Sequence, residues 1–203
     1  MPTIPVLIYG ITVLVLAVFG LFGNFSLLAI TVGFKQFRTN KCGILIGLLA
    51  LCDFLIETVI IRNLIRLLLE IPSFQDSCFY YMIIVDFCVS VQTILMLSLA
   101  LDRLAAIMTP FWYQRVLPLL YFTIFCLPAV LFGIATIILG FLHMEPEKVI
   151  LVCNVPLSLG PEAYVLWNRV SFFAILATLA AYFVTGIAVW WKGTRVKPKT
   201  TLT

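Results

Sequence analysis

The stretch SVQTILMLSLALDRLAAIMTPFWY, residues 90–113, decides how the rest of the chain is read. A long apolar run ends in an adjacent acid and base, Asp102 and Arg103, with Pro110 and Tyr113 shortly after. The apolar side chains are continuous and do not alternate, so the spacing predicts a helix in an apolar solvent and not a strand with one wet face. That solvent is lipid. Of the 203 residues, 63% are hydrophobic and only 11% charged, with a mean hydropathy of +1.16. A water-soluble domain carries about 25% charged residues. The apolar content runs along the whole chain, so a cleaved secretory leader does not account for it.

A helix needs about 20 apolar residues to cross the hydrocarbon core. Five segments reach that length: residues 6–33, 43–69, 79–108, 116–141 and 165–191. The predicted fold class is all-α, a polytopic transmembrane helix bundle over residues 1–192, with a polar tail over 193–203. Basic residues set the expected orientation. They are absent from the first five residues and from the loop IPSFQDS (71–77), and present at Lys35, Arg38 and Lys41, at Arg103 and Arg115, and in the tail at Lys192, Arg195, Lys197 and Lys199. Five crossings put all of these on one side. The N-terminus is therefore expected outside the cell and the tail in the cytoplasm, in a multi-pass protein of the plasma membrane.

This topology sorts the cysteines. Cys42, Cys52, Cys88 and Cys126 fall in or at the ends of apolar runs and read as small buried hydrophobes. Cys78 and Cys153 fall on the outer side, where a disulfide persists. A bridge between them is expected, two free thiols being the alternative. Neither the six Cys nor the single His143 stands at metal-ligand spacing. The net charge of +4 is modest, and no basic patch interleaved with aromatics is present, so nucleic acid is not an expected partner.

Ionisable groups inside spans are costly, about 2.5–3.5 kcal/mol each, and point to function by default. Asp53 lies near the middle of the second span, and Glu57 is one turn on, along the same face. Asn24 lies within the first span, where a polar contact between helices is the plain reading. Its Asn-Phe-Ser context matches a glycosylation acceptor but would sit in hydrocarbon. Arg62, Arg66 and Glu70 share one face of the outer half of span 2, with snorkelling to the interface or facing a pocket as alternatives.

The motifs together resemble those of rhodopsin-like (class A) G-protein-coupled receptors, and most of all the nematode serpentine chemoreceptors of the Srsx class, over about residues 18–192. Gly23-Asn24 matches the family's span-1 signature, and LLALCD ending at Asp53 matches that of span 2. Cys78 precedes Arg103 by the family's spacing, and Pro110 and Tyr113 follow it as in the second cytoplasmic loop. The resemblance implies that Asp102 holds Arg103 in an inactive state, as a charge-assisted pair suited to a two-state switch. It also implies coupling of Asp102, Arg103, Pro110 and Tyr113 to a heterotrimeric G-protein. Asn24, Asp53 and Gln92 would form an intramembrane polar site able to take a sodium ion, although Gln92 is bulkier than the family's usual small hydroxyl residue there.

The same resemblance places Tyr81, Val85, Asp86 and Val89 toward a pocket for an unknown small-molecule or peptide ligand. Asp86 stands one residue past the position of the amine-binding acid, a turn of about 100°, so an amine is not the expected ligand. A receptor dimer is a possible further partner. Leu104, the missing span-4 Trp and the missing span-5 Pro depart from the family's pattern, while Tyr182 matches its span-5 Tyr. The family has seven spans and this sequence holds five. A fragment, a truncated isoform and an incomplete gene product are the alternatives, and the 203-residue chain alone is expected to be unstable or unable to signal. A small transporter or channel is the rival reading, with Asp53, Glu57, Arg62 and Arg66 lining a path. Against it, there are no matching broken spans in two halves. An enzyme is not expected, since one His supplies no cluster.

Overall fold

The structure, a computed structural model, describes residues 4–69, 71, 73–150 and 152–195. Glu70 and tail residues 196–203, with Lys197 and Lys199, lie outside the described residues. Five long helices carry the five expected spans: α1 (Ile4–Gly33), α3 (Lys41–Leu68), α4 (Gln75–Met108), α6 (Pro118–Leu142) and α8 (Pro161–Arg195). Their starts differ by up to four residues from those expected, because capping and proline, rather than hydropathy, begin a helix. Asn40 accepts from the Cys42 N–H at 3.2 Å and opens α3 early. Pro118 and Pro161 stand at first positions, where a missing N–H costs nothing.

Three short helices were not expected: α2 (Lys35–Arg38), α5 (Pro110–Arg115) and α7 (Val155–Ser158). Nor was a two-residue antiparallel pairing between β1 (Ser73–Phe74) and β2 (Val149–Ile150), with Ser73 opposite Ile150 and Phe74 opposite Val149.

Helix α4 is the hub and packs against α3, α6 and α8, while α1 packs chiefly on α3. Small residues permit this. The buried face of α6 is Ala129, Gly133, Thr136 and Gly140. A Cβ at Gly133 would lie 2.8 Å from the Phe87 ring, and one at Gly140 would lie 2.6 Å from Phe79. Helix α8 buries Ala174, Ala181 and Ala188, seven residues apart. With no hydrophobic effect between helices in lipid, such close approach is what holds a bundle together. The large side chains point the other way: Phe19, Phe22, Phe173 and Phe183 are all more than half exposed, an outward face that only lipid tolerates.

At one end of the bundle Cys78 and Cys153 form the expected disulfide, joining the start of α4 to the segment after β2. Asn63 Nδ2 of α3 donates to the Cys153 carbonyl at 2.6 Å. Gln75, 1% exposed, accepts from the Glu145 N–H at 3.3 Å. His143 pairs with Glu162 at 2.9 Å. The turn into α8 needs glycine: Gly160 has φ +78°, and a Cβ there would lie 2.8 Å from the His143 carbonyl oxygen.

Candidate functional site

The opposite end carries the acid and base of the opening motif, and it separates them. Successive helical residues point about 100° apart. Asp102 turns into the bundle and is fully buried, while Arg103 is exposed. Asp102 Oδ1 accepts from the Tyr113 hydroxyl at 2.8 Å and from the Tyr121 hydroxyl at 2.6 Å. Arg103 Nη2 donates instead to Cys42 Sγ at the start of α3, at 2.6 Å. The expected Asp102–Arg103 pair is therefore not formed in this state: each residue is held by a different helix. Burial, reinforced by the bond to Asp102, raises the Tyr113 phenol well above its ordinary range, so it remains a donor at neutral pH.

Lys41 completes the cluster. Its Nζ donates to the carbonyls of Tyr113 at 2.8 Å and Val116 at 3.0 Å, and lies 4.9 Å and 5.4 Å from the ring centroids of Tyr113 and Tyr121. Helix α5, opened by Pro110, is thus clamped by α3 and α4. Lys192 near the end of α8 donates to the Ile107 carbonyl at the end of α4.

The intramembrane polar residues divide into two pairs. Gln92 Nε2 donates to Asp53 Oδ1 at 2.5 Å, and Asn24 Nδ2 donates to Glu57 Oε1 at 3.3 Å. Asn24 is thus one helical turn from the partner expected for it. Of the three residues expected to share one polar site, Asp53 and Gln92 are joined directly and Asn24 stands with Glu57. Glu57 lies against the bare backbone of Gly20, where a Cβ would stand 1.9 Å from Oε1, and its Oε2 is buried without a partner. Gly20→Ala displaces the Glu57 carboxyl and breaks its bond to Asn24. The expected loss is about 0.5–1.5 kcal/mol, read by thermal unfolding in detergent. That loss disappears in a Glu57→Ala background if this contact is its cause.

At the disulfide end, Val85 and Val89 line a cavity of about 340 Å³ with Tyr9, Asn63, Asn154 and Val155. Tyr81 and Asp86 do not line it. Tyr81 sits beneath the guanidinium groups of Arg62 and Arg66, at 5.4 Å and 5.0 Å. Asp86 is fully buried on another face of α4, where Ser158 Oγ of α7 donates to its Oδ2 at 2.8 Å while Oδ1 has no partner. Ser90 donates to the Asp86 carbonyl and accepts from Trp167 Nε1 of α8 at 3.0 Å.

Lys41, Tyr121, Ser158 and Trp167 were missed by sequence reasoning. Lys41 counted only as a loop charge. Tyr121 carried one usable signal, a hydroxyl inside the apolar run PLLYFTIFC, which needs a partner when buried.

Two comparisons with known proteins bear on this geometry. The profile of a family described as serpentine type 7TM GPCR chemoreceptor Srsx matches residues 17–201. No curated protein matches the chain.

Proposed function

The chain belongs to the Srsx family of serpentine seven-transmembrane chemoreceptors, and from that premise we propose that it transduces an extracellular ligand to a heterotrimeric G-protein at the plasma membrane. The disulfide end faces outward and receives a small molecule or peptide at the cavity walled by Val85 and Val89. The Arg103 end faces the cytoplasm and receives the G-protein. The observation that carries this reading is the fully buried Asp102 with two phenolic donors beside an exposed Arg103. A buried carboxyl that grips α5 and α6, beside an exposed guanidinium held by Cys42 of α3, is a two-state element: moving α4 against α6 breaks the Tyr121 bond, and moving it against α3 releases Arg103. The family is one of receptors, not of enzymes.

The test is nucleotide exchange on each class of heterotrimeric G-protein. It uses membranes carrying this chain, or the full product where its transcript continues past the codon for Thr203. Asp102→Asn raises basal exchange, and Arg103→Ala in that background returns it to the level of empty membranes. No exchange on any class by the product of the full transcript, with or without either substitution, refutes coupling.

A further inference from the structure

Three of the four free cysteines among the described residues line a single groove. Cys52 of α3, Cys88 of α4 and Cys126 of α6 border a cavity of about 570 Å³ whose other walls are wholly apolar, among them Leu55, Ile84 and Ile134. Those three side chains are 37%, 48% and 45% exposed, so the groove opens outward from the bundle, into lipid. Cys52 and Cys88 belong to one buried core with Val91 and Leu95, on the two helices that the Asp53–Gln92 bond joins across the α3–α4 interface. Cys126 of α6 borders the same groove and packs against that core.

As packing, two small hydrophobes account for this core. As chemistry, two neighbouring thiols on facing helices are a two-electron reductant. We propose that Cys52 and Cys88 form an oxidisable dithiol that reacts with organic hydroperoxides carried in the acyl-chain region of the bilayer, locking α3 to α4. One sulfur attacks a peroxide oxygen. The O–O bond breaks, the alcohol departs with the thiol proton, and a sulfenic acid remains. The second thiol attacks that sulfur. The S–S bond forms, the S–O bond breaks, and hydroxide leaves with the second proton as water. In sum, two thiols and one hydroperoxide give one disulfide, one alcohol and one water. The groove selects the oxidant: an apolar hydroperoxide dissolves in it, whereas hydrogen peroxide must leave its own hydrogen bonds behind in water. Cys52 precedes Asp53, and Cys88 lies one turn before Gln92, so the bond fixes the two helices beside the Asp53–Gln92 contact.

The experiment uses the full chain in phosphatidylcholine vesicles treated with cumene hydroperoxide, then alkylated, digested and analysed by mass spectrometry without reductant. A Cys52–Cys88 linked peptide is expected. It is lost in Cys52→Ser and Cys88→Ser, retained in Cys126→Ser, and several-fold less abundant with hydrogen peroxide at equal concentration. Full alkylation of both thiols after treatment, or links that run through Cys126, overturns the proposal. A second measurement needs no variant: phenylarsine oxide, which bridges close thiols, protects Cys52 and Cys88 together from alkylation and leaves Cys126 reactive. Equal protection of all three, or of none, overturns it as well.

Discussion

Cys78→Ser lowers the stability of the bundle by about 2–5 kcal/mol, and Cys153→Ser lowers it by the same amount. The bridge closes a loop of 75 residues that contains most of α4 and all of α6. For a chain free in water, the loop-closure entropy of that length amounts to about 4.5 kcal/mol. Here the reduced chain keeps its spans in lipid, which already restricts the loop, so the lower half of the range is expected. What opens is local. The segment after β2 loses its covalent tie to α4 and is left with the Asn63–Cys153 bond, the two-residue β pairing before it and the Ser158–Asp86 bond beyond it. The measurement is thermal unfolding in detergent, with and without reductant. Because one bond is at stake, the double Ser variant is no less stable than either single variant, and reductant shifts wild type alone. Additive losses would show that the two cysteines act separately and that the bridge is not the source.

Asp102→Ala has the second large effect. It leaves the Tyr121 hydroxyl buried and the Tyr113 hydroxyl half-buried, both without an acceptor. An unsatisfied buried donor costs about 1–3 kcal/mol, which falls in full on Tyr121 and in smaller part on the half-buried Tyr113. Asp102→Asn retains a carbonyl acceptor at the same place and loses less. The sharper check is a rescue. Adding Tyr113→Phe and Tyr121→Phe to Asp102→Ala removes both orphaned hydroxyls and recovers much of the loss, since deleting all partners of a hydrogen bond is nearly neutral. If the triple variant is less stable than Asp102→Ala alone, the carboxyl–phenol cluster is not what holds α5 and α6 to α4.

The number, order and approximate limits of the spans were legible because lipid allows so few solutions: a crossing helix must be long and continuously apolar. Cys78 and Cys153 were legible for a related reason, since topology put both at one end. The partners of single polar side chains were not. Adjacency in sequence suggested that Asp102 holds Arg103, yet adjacency on a helix separates them. Their true partners, Tyr121 and Cys42, come from other helices whose rotation no local pattern reveals. Asn24 was expected beside Asp53 and meets Glu57 instead, a slip of one turn set by how closely α1 approaches at Gly20. Val85 and Asp86 were expected toward one pocket, yet adjacent helical residues point about 100° apart, and only Val85 lines the cavity while Asp86 meets Ser158.

The Ser158–Asp86 and Trp167–Ser90 bonds bear on how the protein is made. Their halves are 72 and 77 residues apart in the chain. A ribosome adding 5–20 residues per second takes about 4–15 s to supply the second half. Through that interval the third span sits in the bilayer with an acid whose donor has not yet been synthesised, and its insertion is the less favourable for it. Codons that slow translation between positions 102 and 158 lengthen the wait. They should lower the yield of inserted wild-type protein while sparing Asp86→Asn, a difference measurable by pulse labelling. The vulnerable moment of this receptor lies in its biogenesis, before the side chain at position 86 has found its tether.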